Sequence, residues 1–175
     1  MTDAELKVGL LKAAEEAIDE IVAWSGVTKQ MTLTELEDVM LESRQRVYAR
    51  MTEVLLAQEE AKRNAEIPVN AKTQKRLHPK GAKKKGVVTR LGWLSYERQY
   101  YYDVQEHQGC YPLDEQLGIE RHISAGMSRV LVKLGADRPY QSSADLVNEL
   151  MQVSVSDTSA WRSMQKAGEK YQALM

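Results

Sequence analysis

The stretch YYYDVQEHQGCYPLDE, residues 100–115, combines the features that decide the fold. Three consecutive tyrosines run into the polar turn DVQEH, and a single cysteine, Cys110, separates that turn from the run PLDE. Tyrosines before a polar turn are typical of the end of a β-strand, whereas LDEQLG suits a short turn of helix. The stretch therefore predicts a corner at which a strand gives way to a helix.

The segment before this corner, VVTRLGWLSYERQYYYDV at residues 87–104, has the period of a β-hairpin. β-Branched, apolar and aromatic side chains alternate on both sides of Gly92, which marks the turn. A hairpin by itself is only marginally stable in water. It therefore needs a helix, a third strand or a metal ion behind it.

Two amphipathic helices are predicted before the hairpin, at residues 4–24 and about 33–64. Each begins with the Thr-x-x-Glu pattern of a capping box, starting at Thr2 and at Thr32. Pro68 bars extension of the second helix. The two helices are expected to form an antiparallel hairpin, although their apolar stripe could equally be a short coiled-coil seam between two chains.

Further helices are predicted after the corner, and the last two have the layout of a helix-turn-helix. Ser124 is expected to cap the first of them, Ser142 or Ser143 the next, and Ser156 the last. Any αα-hairpin shares this layout, so an ordinary solvent-exposed pair of helices stays open as an interpretation.

The first turns of the last helix would make the contacts if that helix enters a major groove. Arg162 could donate two hydrogen bonds to guanine and Gln165 could pair with adenine, while Ser156 could meet phosphate at the helix N-terminus. The predicted contact residues on this helix are Ser156, Thr158, Ser159, Arg162, Gln165 and Lys166.

Charge is unevenly distributed along a chain whose 24 Lys and Arg nearly balance its 25 Asp and Glu. Residues 72–86, KTQKRLHPKGAKKKG, carry seven basic side chains and no acidic one. Such a run attracts phosphate, although a solvated linker would have the same composition. The predicted phosphate contacts are Lys72, Lys75, Arg76, Lys80, Lys83, Lys84, Lys85 and Arg90.

Composition excludes several other classes of protein. One cysteine excludes an intramolecular disulfide and a multi-cysteine zinc site. No apolar run approaches the roughly 20 residues of a membrane span, and the N-terminus MTDAELKVGLLK is unlike a secretory signal. We therefore expect a cytoplasmic protein with no membrane partner.

The order of these parts resembles the N-terminal, DNA-binding region of Kra-type bacterial insertion-sequence transposases. The resemblance rests on TRLGWLSYERQYYY, on GCYPLDEQLGI and on ISAGMSRVLVKLGADRPYQSSADLVNELMQVSVSDTSAWR, and covers residues 32–172. It implies a helical leader, a zinc ribbon, a hairpin and a helix-turn-helix. A ribonuclease-H-like catalytic domain with three acidic residues normally follows in that family.

The zinc ligands that the resemblance implies are missing here. Where the family has CPxCG pairs, this chain has IPVNA at residues 67–71 and DVQEH at residues 103–107. Isoleucine cannot ligate a metal, and Cys110, His107 and Asp103 are too few for structural zinc. We therefore predict no metal and no cofactor.

Burial of Trp93, Tyr96, Tyr100, Tyr101 and Tyr102 is expected to hold the ribbon together in place of the metal. A fully buried large aromatic side chain contributes roughly 2–3 kcal/mol, and a structural zinc about 10 kcal/mol or more. Three or four buried rings would therefore replace much of the lost contribution.

Catalysis is not expected from this sequence. The chain ends at Met175, at the close of the predicted recognition helix, which leaves no room for the catalytic domain that the resemblance implies. A two-metal carboxylate site also needs acids that converge from a sheet, whereas the acids here lie on helix faces. We therefore predict that the chain is not an enzyme.

The sequence thus predicts a mostly α fold with a small β-hairpin, of the α+β class. Its segments are a helical hairpin at 1–66, a basic linker at 67–86, a degenerate metal-free ribbon at 87–118 and a helix-turn-helix at 119–175. The predicted partner is double-stranded DNA at the bacterial nucleoid, bound by a transposition accessory factor or a transposase-derived regulator. A homodimer or a separately encoded transposase subunit stays open as a further partner.

Two other interpretations remain at this point. One is a protein-interaction or dimerisation module that does not bind nucleic acid, which the weakly acidic isoelectric point of about 6.3 favours. The other is an RNA or single-stranded DNA binder, in which bases stack on the tyrosines of the hairpin.

Overall fold

The computed structural model describes residues 2–28, 30–64, 67–70, 74–104, 106–119 and 121–173. The chain divides into two compact units. Unit 1 comprises Met1–Gly86 and Leu94–Leu117, and unit 2 comprises Val87–Trp93 and Gly118–Met175. No helix in the described ranges is long and apolar enough to cross a membrane.

Helices and a small antiparallel sheet confirm the predicted α+β class. The elements are α1 (Asp3–Val27), α2 (Leu33–Asn64), β1 (His78–Thr89), β2 (Gly92–Asp103), β3 (Gln108–Cys110), α3 (Pro112–Gln116), α4 (Ala125–Gly135), α5 (Tyr140–Met151) and α6 (Asp157–Gln172).

Helices α1 and α2 form the predicted hairpin within unit 1. Both capping boxes are present: the Thr2 hydroxyl accepts from the Glu5 N–H, and Thr32 accepts likewise from Glu35. These pairs satisfy backbone groups that a helix start otherwise leaves open. The inner face of α1, with buried Ala13, packs against α2.

The last nine residues of the segment predicted as a linker at 67–86 belong to a β-strand, which corrects that part of the prediction. From His78 onward it is β1, the edge strand of a sheet whose order is β1-β2-β3. Before it, Val69 and Arg76 form an isolated antiparallel bridge. The chain turns from β1 into β2 through Gly92, whose φ of 110° suits glycine best.

Strand β2 shows the predicted alternation over its first half. Leu94, Tyr96 and Arg98 are buried, and the residues between them are exposed. The expected burial of aromatic rings is met only in part: Tyr96 and Tyr101 are 4% and 3% exposed, whereas Trp93 is 58% exposed. The remaining two tyrosines of the hairpin are half-buried.

Helix α2 covers the part of β2 that lies beyond the reach of the short strand β3. The Glu53 carboxylate accepts from the Ser95 N–H at 2.7 Å, and Glu60 accepts in the same way from Gln99. A sheet edge exposes unpaired N–H groups, and α2 satisfies two of them with side chains. Helix and sheet are thereby joined by directional bonds as well as by packing.

The predicted corner at PLDE is built around the buried side chain of Asp114, which is only 6% exposed. Its carboxylate accepts from the Tyr96 hydroxyl at 2.6 Å, from Arg98 Nε at 2.7 Å and from Lys85 Nζ at 2.9 Å. The Arg98 guanidinium also lies over the Tyr111 ring, 3.7 Å from its centroid. The start of α3 is thus bonded to both long strands.

These contacts change the acidity of two groups. Burial acts to raise the pKa of Asp114, but hydrogen bonds from Tyr96, Arg98 and Lys85 outweigh it and hold that pKa below its ordinary value. Burial, with the hydrogen bond to Asp114, raises the pKa of the Tyr96 hydroxyl well above its ordinary value. The folded chain therefore favours an ionised aspartate beside a neutral tyrosine.

Unit 2 has its own apolar core, formed where α4, α5 and α6 meet. The buried members are Val88, Met127, Leu131, Val147, Val155 and Ala160. Val88 belongs to this core because its backbone pairs with the chain before α4: its N–H donates to His122 O at 2.7 Å, and its O accepts from the Ser124 N–H at 3.0 Å.

The predicted caps of the last three helices are correct at two positions. The Ser124 hydroxyl accepts from the Met127 N–H, and the Ser156 hydroxyl accepts from the Ser159 N–H. The expectation for α5 is wrong, because that helix begins at Tyr140 and Ser143 lies fully buried inside it. Pro139, with its φ of −57°, precedes the first turn instead.

Replacing Asp114 with asparagine is expected to destabilise the chain by about 3–5 kcal/mol, because two buried cations lose their counter-charge. Urea denaturation of Asp114→Asn and wild type measures the difference. Glu115→Gln is the matched control, since Glu115 is the exposed neighbour and should change stability by no more than about 0.5 kcal/mol. Equal midpoints for all three proteins would contradict the role given to Asp114.

The advantage of wild type over Asp114→Asn is expected to depend on pH. Because the folded pKa of Asp114 is depressed, its contribution is present above the unfolded pKa and is lost as pH falls through the folded value. The raised pKa of Tyr96 acts in the opposite sense, so its contribution fades above a pH of about 10. Urea midpoints from acid to alkaline pH test both signs.

Candidate nucleic-acid interface

The turn between α5 and α6 is held by one side chain, Asn148. Its Nδ2 donates to Val155 O at 2.9 Å, and its Oδ1 accepts from the Val155 N–H at 2.7 Å. Gln152, at the end of α5, has a left-handed conformation with φ 48°. This two-point clamp fixes the chain between α5 and α6, and no periodic pattern of residues indicates it.

Helix α6 has one buried and one exposed face. Ala160 and Ser163 are buried, 0% and 8% exposed. Thr158, Arg162 and Gln165 are exposed, in agreement with the predicted outer face. Ser159 and Lys166, which the prediction also placed there, are half-buried.

Arg162 is available to a ligand. Among the residues that the structure describes, no carboxylate lies within salt-bridge distance of its guanidinium. Trp161 beside it is 45% exposed. An arginine, a glutamine and an exposed indole therefore share the outer side of α6.

The first turn of α6 is already satisfied within the chain. Asp157 Oδ1 accepts from the Thr158 N–H at 2.6 Å, and the Ser156 hydroxyl accepts from the Ser159 N–H at 3.2 Å. A phosphate at this point would compete with a carboxylate for backbone donors. The start of α6 is therefore a poorer phosphate site than the sequence suggested for Ser156.

The predicted phosphate contacts do not form one surface within a single unit. Lys75, Arg76, Lys80, Lys83 and Lys84 are exposed in unit 1, whereas Arg90 is exposed at the hairpin turn in unit 2. Lys72 lies outside the described residues.

Two of these lysines have partners that bear on their role. Lys85 is 9% exposed and ion-paired with Asp114, so it is a structural cation in this fold. The Lys83 ammonium lies 4.5 Å from the centroid of the Tyr100 ring. Lysines on an edge strand also prevent edge-to-edge pairing with other chains, which is a second reason for the basic character of β1.

Polar contacts occupy the places where the resemblance implies zinc ligands. Asn70 Nδ2 donates to Asp103 Oδ2, and Asp103 Oδ1 accepts from the Glu106 N–H at 3.2 Å. Ile67 is 47% exposed. Burial raises the pKa of the Cys110 thiol, which disfavours the thiolate that zinc requires.

This donor set does not fit structural zinc. Within the described ranges, no group of three or more His, Cys, Asp or Glu side chains is placed to hold a metal ion. The Asn70–Asp103 hydrogen bond instead joins the two turns that a shared metal would have joined. Gly109 in β3 makes room for the Tyr100 ring, because a β-carbon at this position would overlap that ring.

A match to a known sequence family identifies the family of this chain. The sequence model of an uncharacterised protein family, UPF0236, matches residues 26–172. The chain belongs to this family. No curated protein matches the chain. The UPF0236 match extends from the end of α1 through α6, so it includes the Asp114 corner, the Asn70–Asp103 contact and the α5–α6 turn.

The purified chain is expected to contain far less than one zinc ion per molecule, because other residues stand where the resemblance implies the cysteine ligands of a structural zinc site. Metal analysis by mass spectrometry measures this directly. Its melting temperature should be the same with and without a chelator, since no binding energy of a metal contributes to folding. Stoichiometric zinc, or melting that a chelator lowers, would contradict this view of the ribbon.

Proposed function

We propose that this UPF0236 chain binds double-stranded DNA without catalysing a reaction on it, and that α6 reads base edges. The observation that carries the proposal is the exposed polar strip on α6, positioned after a clamped turn. Thr158, Arg162 and Gln165 are spaced by four and three residues, so they lie on one side of the helix.

The length of this strip suits a short stretch of duplex. Residues 158–165 rise about 10 Å along the helix, which corresponds to about three base pairs. Arginine prefers the two acceptors of guanine in the major groove, and glutamine prefers adenine. The expected target is therefore a short sequence that contains both purines.

Sequence-independent affinity would come from the exposed basic residues. Arg90 in unit 2 and Lys80, Lys83 and Lys84 in unit 1 are the candidates for phosphate contacts. We leave Lys85 out of this set because of its ion pair with Asp114. Contacts to phosphate raise the affinity for all sequences and make it sensitive to salt.

Single-stranded nucleic acid has less support as a ligand. Stacking needs exposed aromatic faces, but Tyr96 and Tyr101 are buried. Tyr100 lies against Tyr111, with ring centroids 5.0 Å apart. Of the aromatic side chains expected on the hairpin, Trp93 is the most exposed and is a single ring rather than a platform.

The resemblance to transposase N-terminal regions suggests the setting for this activity. The proposed role is that of a transposition accessory factor, or of a regulator derived from a transposase, which works at the nucleoid.

Arg162→Ala is expected to reduce discrimination between the selected duplex and a scrambled one by about 1–3 kcal/mol, the value of one bidentate base contact. Fluorescence anisotropy with duplexes selected from a random pool measures both affinities. Lys170→Ala is the matched control, because it removes an exposed cation from the last turn of the same helix.

A joint replacement of Lys80, Lys83 and Lys84 by alanine should weaken binding to both duplexes alike and reduce the slope of affinity against salt. Loss of discrimination in Lys170→Ala equal to that in Arg162→Ala would contradict base reading by α6. Failure of the wild type to bind any duplex at low salt would contradict the proposal as a whole.

A further inference from the structure

The outer face of α1 carries an apolar stripe that no part of the described chain covers. Its members, between 58% and 65% exposed, are Val8, Leu11, Ile18 and Val22. The inner face of the same helix, marked by buried Ala13, packs on α2. Helix α1 therefore has two apolar faces, of which α2 covers only one. A large exposed apolar stripe usually marks a docking surface.

The spacing of the stripe is that of a coiled-coil seam. Intervals of four and three residues alternate along it, through Ala4, Val8, Leu11, Glu15, Ile18, Val22 and Ser25. Valine occupies the a positions at both ends, leucine and isoleucine occupy the central d positions, and Glu15 occupies the central a position. We propose that α1 pairs with α1 of a second copy of this chain, in the antiparallel orientation.

Charge makes a second copy the fitting partner. The first half of α1 carries Lys7 and Lys12 beside the stripe, with Asp3 and Glu5 in its first turn, and the second half carries Asp19 at an e position of the seam. An antiparallel pair brings Lys12 of each helix, also at an e position, near Asp19 of the partner subunit. The surface is thus complementary to itself, as the two-fold interface of a homodimer requires.

A parallel pair would have the opposite electrostatics. Glu15 occupies an a position, so two parallel helices in register would place two glutamates face to face in the seam. Lys7 at a g position would also face the e-position Lys12 of the partner subunit. Both contacts join like charges, whereas the antiparallel arrangement avoids them.

One antiparallel register satisfies both the seam and the charges. With Leu11 opposite Val22 of the partner subunit, Glu15 lies beside Ile18 of the partner subunit. Lys12 then comes near Asp19 of the partner subunit, and symmetry repeats this contact. Each copy adds α2 behind its α1, so the dimer has the four helices of a bundle. This dimer is independent of whether α6 binds DNA.

Sedimentation of the full chain across a concentration series tests the dimer. The wild type is expected to approach twice the chain mass of 19.8 kDa. The double variant Leu11→Lys with Ile18→Lys should remain a monomer with unchanged helix content, because both residues are exposed in the single chain. The control, Tyr48→Lys with Leu55→Lys, changes comparably exposed residues on α2 and should still dimerise.

A charge exchange tests the orientation. Lys12→Glu alone and Asp19→Lys alone each place like charges together twice in the antiparallel homodimer, so the dissociation constant should rise about tenfold or more. When the two variants are mixed, the heterodimer again has opposite charges at both of these contacts, one in the native sense and one reversed. The mixture should therefore regain wild-type association.

The proposal is overturned by any of three results. These are a wild type that stays monomeric throughout the series, a dimer that the α2 control disrupts while the α1 variant leaves it intact, and a mixture of charge variants that associates no better than either variant alone. The last result with an intact wild-type dimer would show that the orientation is wrong.

Discussion

The fold of unit 1 depends on one buried carboxylate that three donors share. Asp114 receives bonds from Tyr96, Arg98 and Lys85, so the two long strands and the start of α3 are fixed to a single point. A buried charge is tolerated only when it is paired and hydrogen-bonded, and here both conditions are met. The arrangement gives a small sheet a specific anchor that apolar contacts alone would not provide, since they are not directional.

This anchor explains how a ribbon-like hairpin can form without the metal that the resemblance implies. The two turns that would share an ion are joined by the Asn70–Asp103 hydrogen bond, and α2 satisfies the free edge of β2 with Glu53 and Glu60. Buried aromatic rings contribute less to the stability of the hairpin than the sequence suggested. Of the five aromatic side chains expected to be buried there, only Tyr96 and Tyr101 are. Hydrogen bonds and the packing of α2 behind the sheet supply the remaining stabilisation.

Local features of the sequence were sufficient to predict the caps at Thr2, Thr32, Ser124 and Ser156, the extent of α2 and the alternation along β2. Long-range pairing was not predictable in the same way. Strand β1 lacks an apolar alternation because Lys80, Lys83 and Lys84 face solvent at a sheet edge, so its sequence resembled that of a linker. Lys85 and Asp114 are 29 residues apart in the sequence and meet through the tertiary fold. The Asn148 clamp was not predictable either, because the spacing of apolar residues does not encode the shape of the turn between α5 and α6.

The exposed polar strip on α6 could be predicted because its residues follow helical spacing. The proposal that this strip binds DNA rests on the chemistry of its side chains. Titration of the isotope-labelled full chain with a selected DNA duplex, followed by nuclear magnetic resonance, tests duplex recognition by α6 most directly. We expect the largest shifts at the amides of residues 158–166 and at the indole N–H of Trp161. Shifts confined to unit 1, or a spectrum that the duplex leaves unchanged, would contradict recognition by this helix.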